Sequence, residues 1–177
     1  MCRRDVNKLY RVIGALLIIV CSTLAGRKKV MDDKNHIKLV SEYIKALNIM
    51  ICELKFRRTP LPSLCAFVSE RTNGAVSKVF KLLEQELNFQ VMPDVMTCCH
   101  TVIGKCSGLP ARLKELFIMG GESLGVFDMD GQIDQLRYVK NIAEKILEDD
   151  RKRYERFGRT AQTLWICGGI ALAVILI

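Results

Sequence analysis

A few short stretches hold residue types that could do chemistry, and spacing decides each of them. Gly104-Lys105 has the Gly-Lys pair of a phosphate-binding loop, whose backbone amides cradle phosphates while the lysine reaches them. That loop needs a glycine five positions before Gly104 and a Ser or Thr after the lysine, but Cys99 and Cys106 stand there. No nucleotide site is expected. Asp128-Met129-Asp130-Gly131 has the opening of a calcium loop, but Ile133 replaces the sixth-position Gly and Val139 the twelfth-position Glu. Asp128 reads instead as a helix N-cap. Cys98-Cys99-His100 with Cys106 offers thiolates and an imidazole, the ligands of zinc. Neighbouring helical residues diverge by about 100°, so Cys98 and Cys99 read as buried apolar thiols, not as a metal pair. The two histidines, His36 and His100, have no serine or carboxylate pair placed for a triad. No catalytic, cofactor-binding or metal-binding residue is assigned, and the chain is expected not to be an enzyme in its own right.

The elements that carry these residues follow from the chain's length, charge and apolar period. Its 177 residues hold one ordinary domain. The net charge of +8 would suit nucleic acid or an anionic membrane surface, so the placement of the basic residues matters more than their total. Arg3, Arg4, Lys8, Arg11, Arg27, Lys28 and Lys29 flank one apolar run; Arg151, Lys152, Arg153, Arg156 and Arg159 precede another. That placement favours lipid headgroups and argues against nucleic acid. Eight cysteines without regular spacing in a helix-rich chain read as free thiols in a reducing compartment.

Val12 to Ala25 carries no charge. Its fourteen residues span roughly 21 Å at about 1.5 Å each, short of the roughly 30 Å hydrocarbon core, so the run is a marginal span that needs snorkelling neighbours or a thinned bilayer. A second reading is a cleaved signal peptide ending at Thr23-Leu24-Ala25, opposed by the basic cluster directly after Gly26. Ala161 to Ile177 is apolar to its last residue, with Trp165 near its entry and Tyr154 and Phe157 upstream, where aromatics settle at headgroup level. Ser22 with Gly26 and Gly169 with Ala173 give each run a small-residue face.

Between the runs the period is helical. Ile37, Val40, Ile44, Leu47, Ile51 and Leu54 form one narrow stripe that Thr59-Pro60-Leu61-Pro62 stops, with Ser63 expected to cap a short helix through Val68. Val76, Val79, Phe80, Leu83 and Leu87 mark a helix from Gly74 to Phe89, and Pro93-Asp94 ends it and caps the next, which carries Val95, Cys99, Val102 and Ile103. Gly108-Leu109-Pro110 breaks the chain before a helix with Leu113, Leu116 and Phe117 that runs to Gly120-Gly121. Ile133, Leu136, Val139, Ala143 and Ile146 mark a long helix reaching Arg159, with Glu148-Lys152, Asp149-Arg153 and Glu155-Arg159 pairs at i, i+4. The expected architecture is all-α: residues 1–26 form a basic tail and membrane segment, 27–159 an antiparallel cytosolic bundle of about six helices, and 160–177 a second membrane segment.

In these features the chain resembles the stage III sporulation protein AB family of endospore-forming bacteria. The resemblance rests on Gly14-Ala15-Leu16-Leu17-Ile18-Ile19, Ser22-Thr23-Leu24-Ala25-Gly26, Thr59-Pro60-Leu61-Pro62, Leu124-Gly125 with Asp128, Gln132 and Leu136, and the closing Gly168-Gly169. Val126-Phe127 and Gly131 depart from the family pattern. The resemblance implies a fold like the cytoplasmic domain of the type II secretion platform protein F. It also implies a scaffold role in a secretion-like channel complex between mother cell and forespore, with a cytosolic ATPase and other complex subunits as partners. Thr59, Pro60, Leu61, Pro62, Leu124, Gly125, Asp128 and Gln132 are then structural or partner-contact candidates. The expected location is the mother-cell membrane around the forespore, with the central domain cytosolic and no cofactor or small-molecule substrate. From another class, an exported helical adaptor with a cleaved signal and a C-terminal anchor remains; mature N-terminal sequencing separates the two.

Overall fold

A computed structural model describes residues 2–89, 94–106, 108–122, 124 and 128–176, with side chains described from 30 to 156 and at Cys21, Leu24, Lys28 and Cys167. Every element among them is helical: α1 (Cys2–Arg57), α2 (Leu61–Arg71), α3 (Gly74–Phe89), α4 (Val95–Lys105), α5 (Ala111–Gly121) and α6 (Met129–Leu176). The all-α expectation with six helices is met. The chain divides into two compact units, one of residues 36–148 and one of residues 1–35 with 149–177. Among the described residues no helix is long and apolar enough to cross a membrane. Apart from Cys21, Leu24 and Cys167, the side chains of the two expected membrane runs, 12–25 and 161–177, lie outside that description.

Helix boundaries follow local chemistry. Past the end of α1, Arg58 takes a left-handed φ of 50°, and Thr59 precedes a proline, which disfavours continuing the helix. The α2 start differs from expectation. Pro60 occupies the N-cap position with its carbonyl accepting from Leu64 N at 2.9 Å, and Ser63 lies exposed inside the first turn. Prolines are tolerated there because first-turn N–H groups have no helical partner anyway. The helix also passes Val68 to Arg71, where Thr72 N and Oγ1 both donate to Val68 O, at 3.0 and 2.8 Å. Two residues later Gly74, at φ 67°, opens α3, and Ser77 Oγ donates to Ser69 O at 2.6 Å, closing a tight α2–α3 hairpin. Asp94 caps α4 by accepting from Thr97 N at 3.2 Å, and Asp128 caps α6 by accepting from Gly131 N at 3.3 Å. No proline interrupts α6 beyond Arg159, its expected far end, and the helix continues to Leu176.

The core of residues 36–148 is built on α1. Its deepest line is Val40, Tyr43, Leu47, Met50 and Leu54, flanked by Ile44 and Ala46, while Ile37 and Ile51 are only half-buried. The line is thus rotated by about a residue from the expected aliphatic stripe, because Tyr43 points inward. At 1% exposure its hydroxyl donates to Leu116 O of α5 at 2.7 Å. Its ring centroid lies 4.4 Å from Phe117, which in turn lies 5.6 Å from Phe80 of α3. Burial pushes the Tyr43 phenol far above its usual range, with the Cys99 thiol adding to the shift.

Two glycines let α5 come this close. A Cβ on Gly120 would lie 2.8 Å from Tyr43 Oη; one on Gly121 would lie 2.6 Å from Cys99 Sγ. Both are under the separation real side chains keep. A void of about 20 Å³ remains between Tyr43, Leu47, Phe80, Phe117 and Leu136. Such a volume is near the minimum for one water, and the apolar lining keeps it dry.

Two outcomes follow for the purified chain unfolded in denaturant. Tyr43→Phe removes one net hydrogen bond, a loss of about 1 kcal/mol. Gly120→Ala gains up to about 1 kcal/mol of helix propensity but forces a shift costing about 1–3 kcal/mol, so it destabilises the native background. In the Tyr43→Phe background the obstructing oxygen is gone, and Gly120→Ala becomes neutral or stabilising. An equal cost in both backgrounds would contradict the close approach.

Candidate functional site

The family-motif residues occupy two places. Thr59, Pro60, Leu61 and Pro62 form the α1–α2 corner: Thr59 Oγ1 donates to Glu53 Oε2 at 3.1 Å, and Leu61 packs on the core. Glu53 is also paired with Arg57 at 3.6 Å, which ties the last turn of α1 to the corner. Leu124 is 4% exposed, Asp128 caps α6, and Gln132 N donates to Asp128 O at 2.9 Å. Gly125 lies outside the described residues. The described members turn and cap helices; they do not converge on one pocket.

The stretches with chemical potential are dispersed in the same way. Lys105 lies in the last turn of α4 and pairs with Glu86 of α3 at 3.3 Å, so Gly104-Lys105 is helix and not loop. Cys98 and Cys99 face the core at 0% and 6% exposure, while His100 on the same turn is exposed. Among the described residues no three of His, Cys, Asp and Glu are placed to hold a metal ion.

Electrostatics follow burial. The Thr97 hydroxyl and amide hold the exposed Asp94 carboxyl below its usual value. Burial raises the thiols of Cys65 and Cys98, and pushes Cys99 up to about 12, with Cys98 adding to it. These thiols are inert neutral core groups, since the thiolate is the reactive form. Cys52, by contrast, is exposed on α1.

Sequence reasoning missed the surface on either side of α2. Beside α2 lie two open grooves. One, about 430 Å³, runs against α1 and is lined by Ser41, Lys45, Asn48, Cys52, Phe67 and Arg71 among others. The second, about 310 Å³, runs against α3 and is lined by Pro62, Ser63, Phe67, Glu70, Glu84 and Asn88 among others. Phe67 is the ridge between them, with the Arg71 guanidinium 3.6 Å from its ring centroid. The i, i+4 spacing of Phe67 and Arg71 was the available signal, but periodicity alone cannot show that a half-buried ring faces a groove.

The raised thiols set an alkaline limit. A folded pKa above the unfolded one gives stability that is complete below the unfolded value and is lost as pH rises towards the folded one. For Cys99 that window opens at the ordinary 9.0 and closes near about 12. Stability should fall from pH 8 to 11 by about 2 kcal/mol on this thiol's account, and Cys99→Ala should flatten the fall. An identical pH slope in the variant would contradict a buried neutral thiol. A zinc chelator should leave thermal melting unchanged; a chelator-induced loss of stability would reveal a metal.

Comparison with known proteins is consistent with this geometry. No curated protein matches the chain. A solved structure described as stage III sporulation protein AB aligns with a TM-score of 0.59 at 18% identity, covering 66% of this chain and 94% of that one, and shows the shared helical fold. The sequence model of the family described as stage III sporulation protein AB matches residues 11–177. The chain belongs to the stage III sporulation protein AB family.

Proposed function

We propose that the chain is a membrane platform subunit of a secretion-like channel complex between mother cell and forespore, coupling a cytosolic ATPase to the membrane assembly. The observation that carries this is the order of charge along the chain. A helical bundle lies between two uncharged runs, 12–25 and 161–177, and each run is bordered on the bundle side by basic residues, Arg27, Lys28 and Lys29 before the bundle and Arg151 to Arg159 after it. Lys and Arg beside a span favour the cytosolic side. The N-terminal Arg3, Arg4, Lys8 and Arg11 pull the other way across the first run and leave it near a draw, whereas the five basic residues from Arg151 to Arg159 all lie on the bundle side of the second. The second run therefore sets the orientation, and a bundle tethered at both ends goes with it. Family membership supports a place in sporulation, and the dispersed motif residues support a protein that works by binding surfaces and not by catalysis.

The test is topological. Single cysteines replace the exposed Lys78 and Glu115, in a chain whose Cys2, Cys21, Cys52, Cys106 and Cys167 are serine and whose buried Cys65, Cys98 and Cys99 are kept. With the chain in the plasma membrane of intact vegetative cells, a membrane-impermeant thiol reagent should label neither position until lysis. Strong labelling before lysis, together with a mature N-terminus beginning after Ala25, would favour the exported adaptor and remove the ATPase-coupling role.

A further inference from the structure

The two grooves beside α2 carry opposite charge. Lys45 and Arg71 line the α1 side, and Glu70 and Glu84 line the α3 side. None of the four makes an ion pair among the described residues. The acid that shares the basic groove, Glu53, is already held by Arg57 and Thr59. Between the grooves the surface is apolar: Phe67 forms the ridge and Ile44 and Ile49 the floor on the α1 side.

The levels of these charges are fixed by two hydrogen bonds. Asn73 N donates to Glu42 Oε2 at 3.1 Å, so α1 runs antiparallel to α2 and Lys45 lies about one turn before the α2 end, level with Glu70 and Arg71. Ser77 Oγ to Ser69 O places Glu84 two turns farther along, beside Ser63. Glu70 and Arg71, adjacent in sequence, differ in height by about 1.5 Å and point about 100° apart, one into each groove.

A two-fold axis parallel to α2 and passing over Phe67 keeps every residue at its height and exchanges the two sides. It sets Phe67 against the partner's Phe67, and Lys45 and Arg71 against the partner's Glu70, twice over by symmetry. Any other direction of the axis in that face opposes like charges or offsets them by turns. From this we infer that the α2 face is the contact surface for a second copy of this chain, in an isologous dimer with its axis along α2. Such a self-complementary patch is what a two-fold interface requires. The contact lies wholly in the bundle and is independent of the ATPase-coupling role.

The experiment is a reciprocal charge swap in the full-length chain in density-matched detergent, read by sedimentation equilibrium. The native chain should show a dimer that dissociates as salt rises, because exposed ion pairs are screened. Lys45→Glu/Arg71→Glu and Glu70→Lys should each sediment at half the native mass. Mixed in equal amounts, the two variants should regain the native mass as a heterodimer, since each swapped groove then meets its complement. Thermal melting of each variant establishes that it is folded, and Lys45→Ala/Arg71→Ala, which adds no new charge, should weaken association at least tenfold. A monomeric native chain, variants that stay dimeric, or folded variants whose mixture stays monomeric would each overturn the inference, and native monomer retained on an acidic helix of another protein would assign the face to that partner.

Discussion

The bundle is organised around the close approach of α5 to α1 and α4. Gly120 and Gly121 offer no side chain at the two points where Tyr43 Oη and Cys99 Sγ lie, and α5 can therefore press its backbone against both neighbours at once. The contact at Leu116 O and the ring contact at Phe117 both depend on that separation, because each is made by the same turn of α5. Phe117 then passes the packing on to Phe80, so α3 is joined to the same cluster. A core in which one tyrosine reaches a helix backbone is specific in a way that aliphatic burial is not: the hydroxyl has to find its acceptor or stay desolvated at a cost of about 1–3 kcal/mol.

That constraint explains what the sequence could and could not say. Helix existence was legible, since Val76 to Leu87 and Ile133 to Ala143 keep one apolar face and the breaks at Pro60 and Pro110 are chemical. Asp94 and Asp128 were legible as caps because a short acceptor before a helical period has one main use. The depth of Tyr43 was not. A tyrosine is as often a surface residue as a core one, and its partner Leu116 lies 73 positions away. Ser63 misled for a related reason: it has the N-cap residue type, but the two prolines start the helix earlier. Gly120-Gly121 was read as a helix end, which it is, and its second role as a contact surface needs the neighbouring helices to be seen.

On the functional side, the same logic sorts the polar residues. Motif positions such as Thr59 and Asp128 spend their hydrogen bonds on their own corner or cap, which makes them supports for the surface and not the surface itself. Lys45, Glu70, Arg71 and Glu84 do the reverse: they line grooves and make no ion pair among the described residues. Their pattern of sign follows from α2 lying between two antiparallel neighbours, a property of the hairpin and not of any local motif.

With α5 locked between Tyr43 and Cys99, residues 36–148 should unfold as one unit. Native-state hydrogen exchange measures this directly, by the opening free energy of each amide. The amides from Phe117 to Gly121 should exchange with the same free energy and denaturant dependence as those from Leu47 to Leu54 on α1, and both should equal global unfolding. Exchange of the α5 amides through a separate, lower-energy opening, with α1 still protected, would contradict the lock at the two glycines.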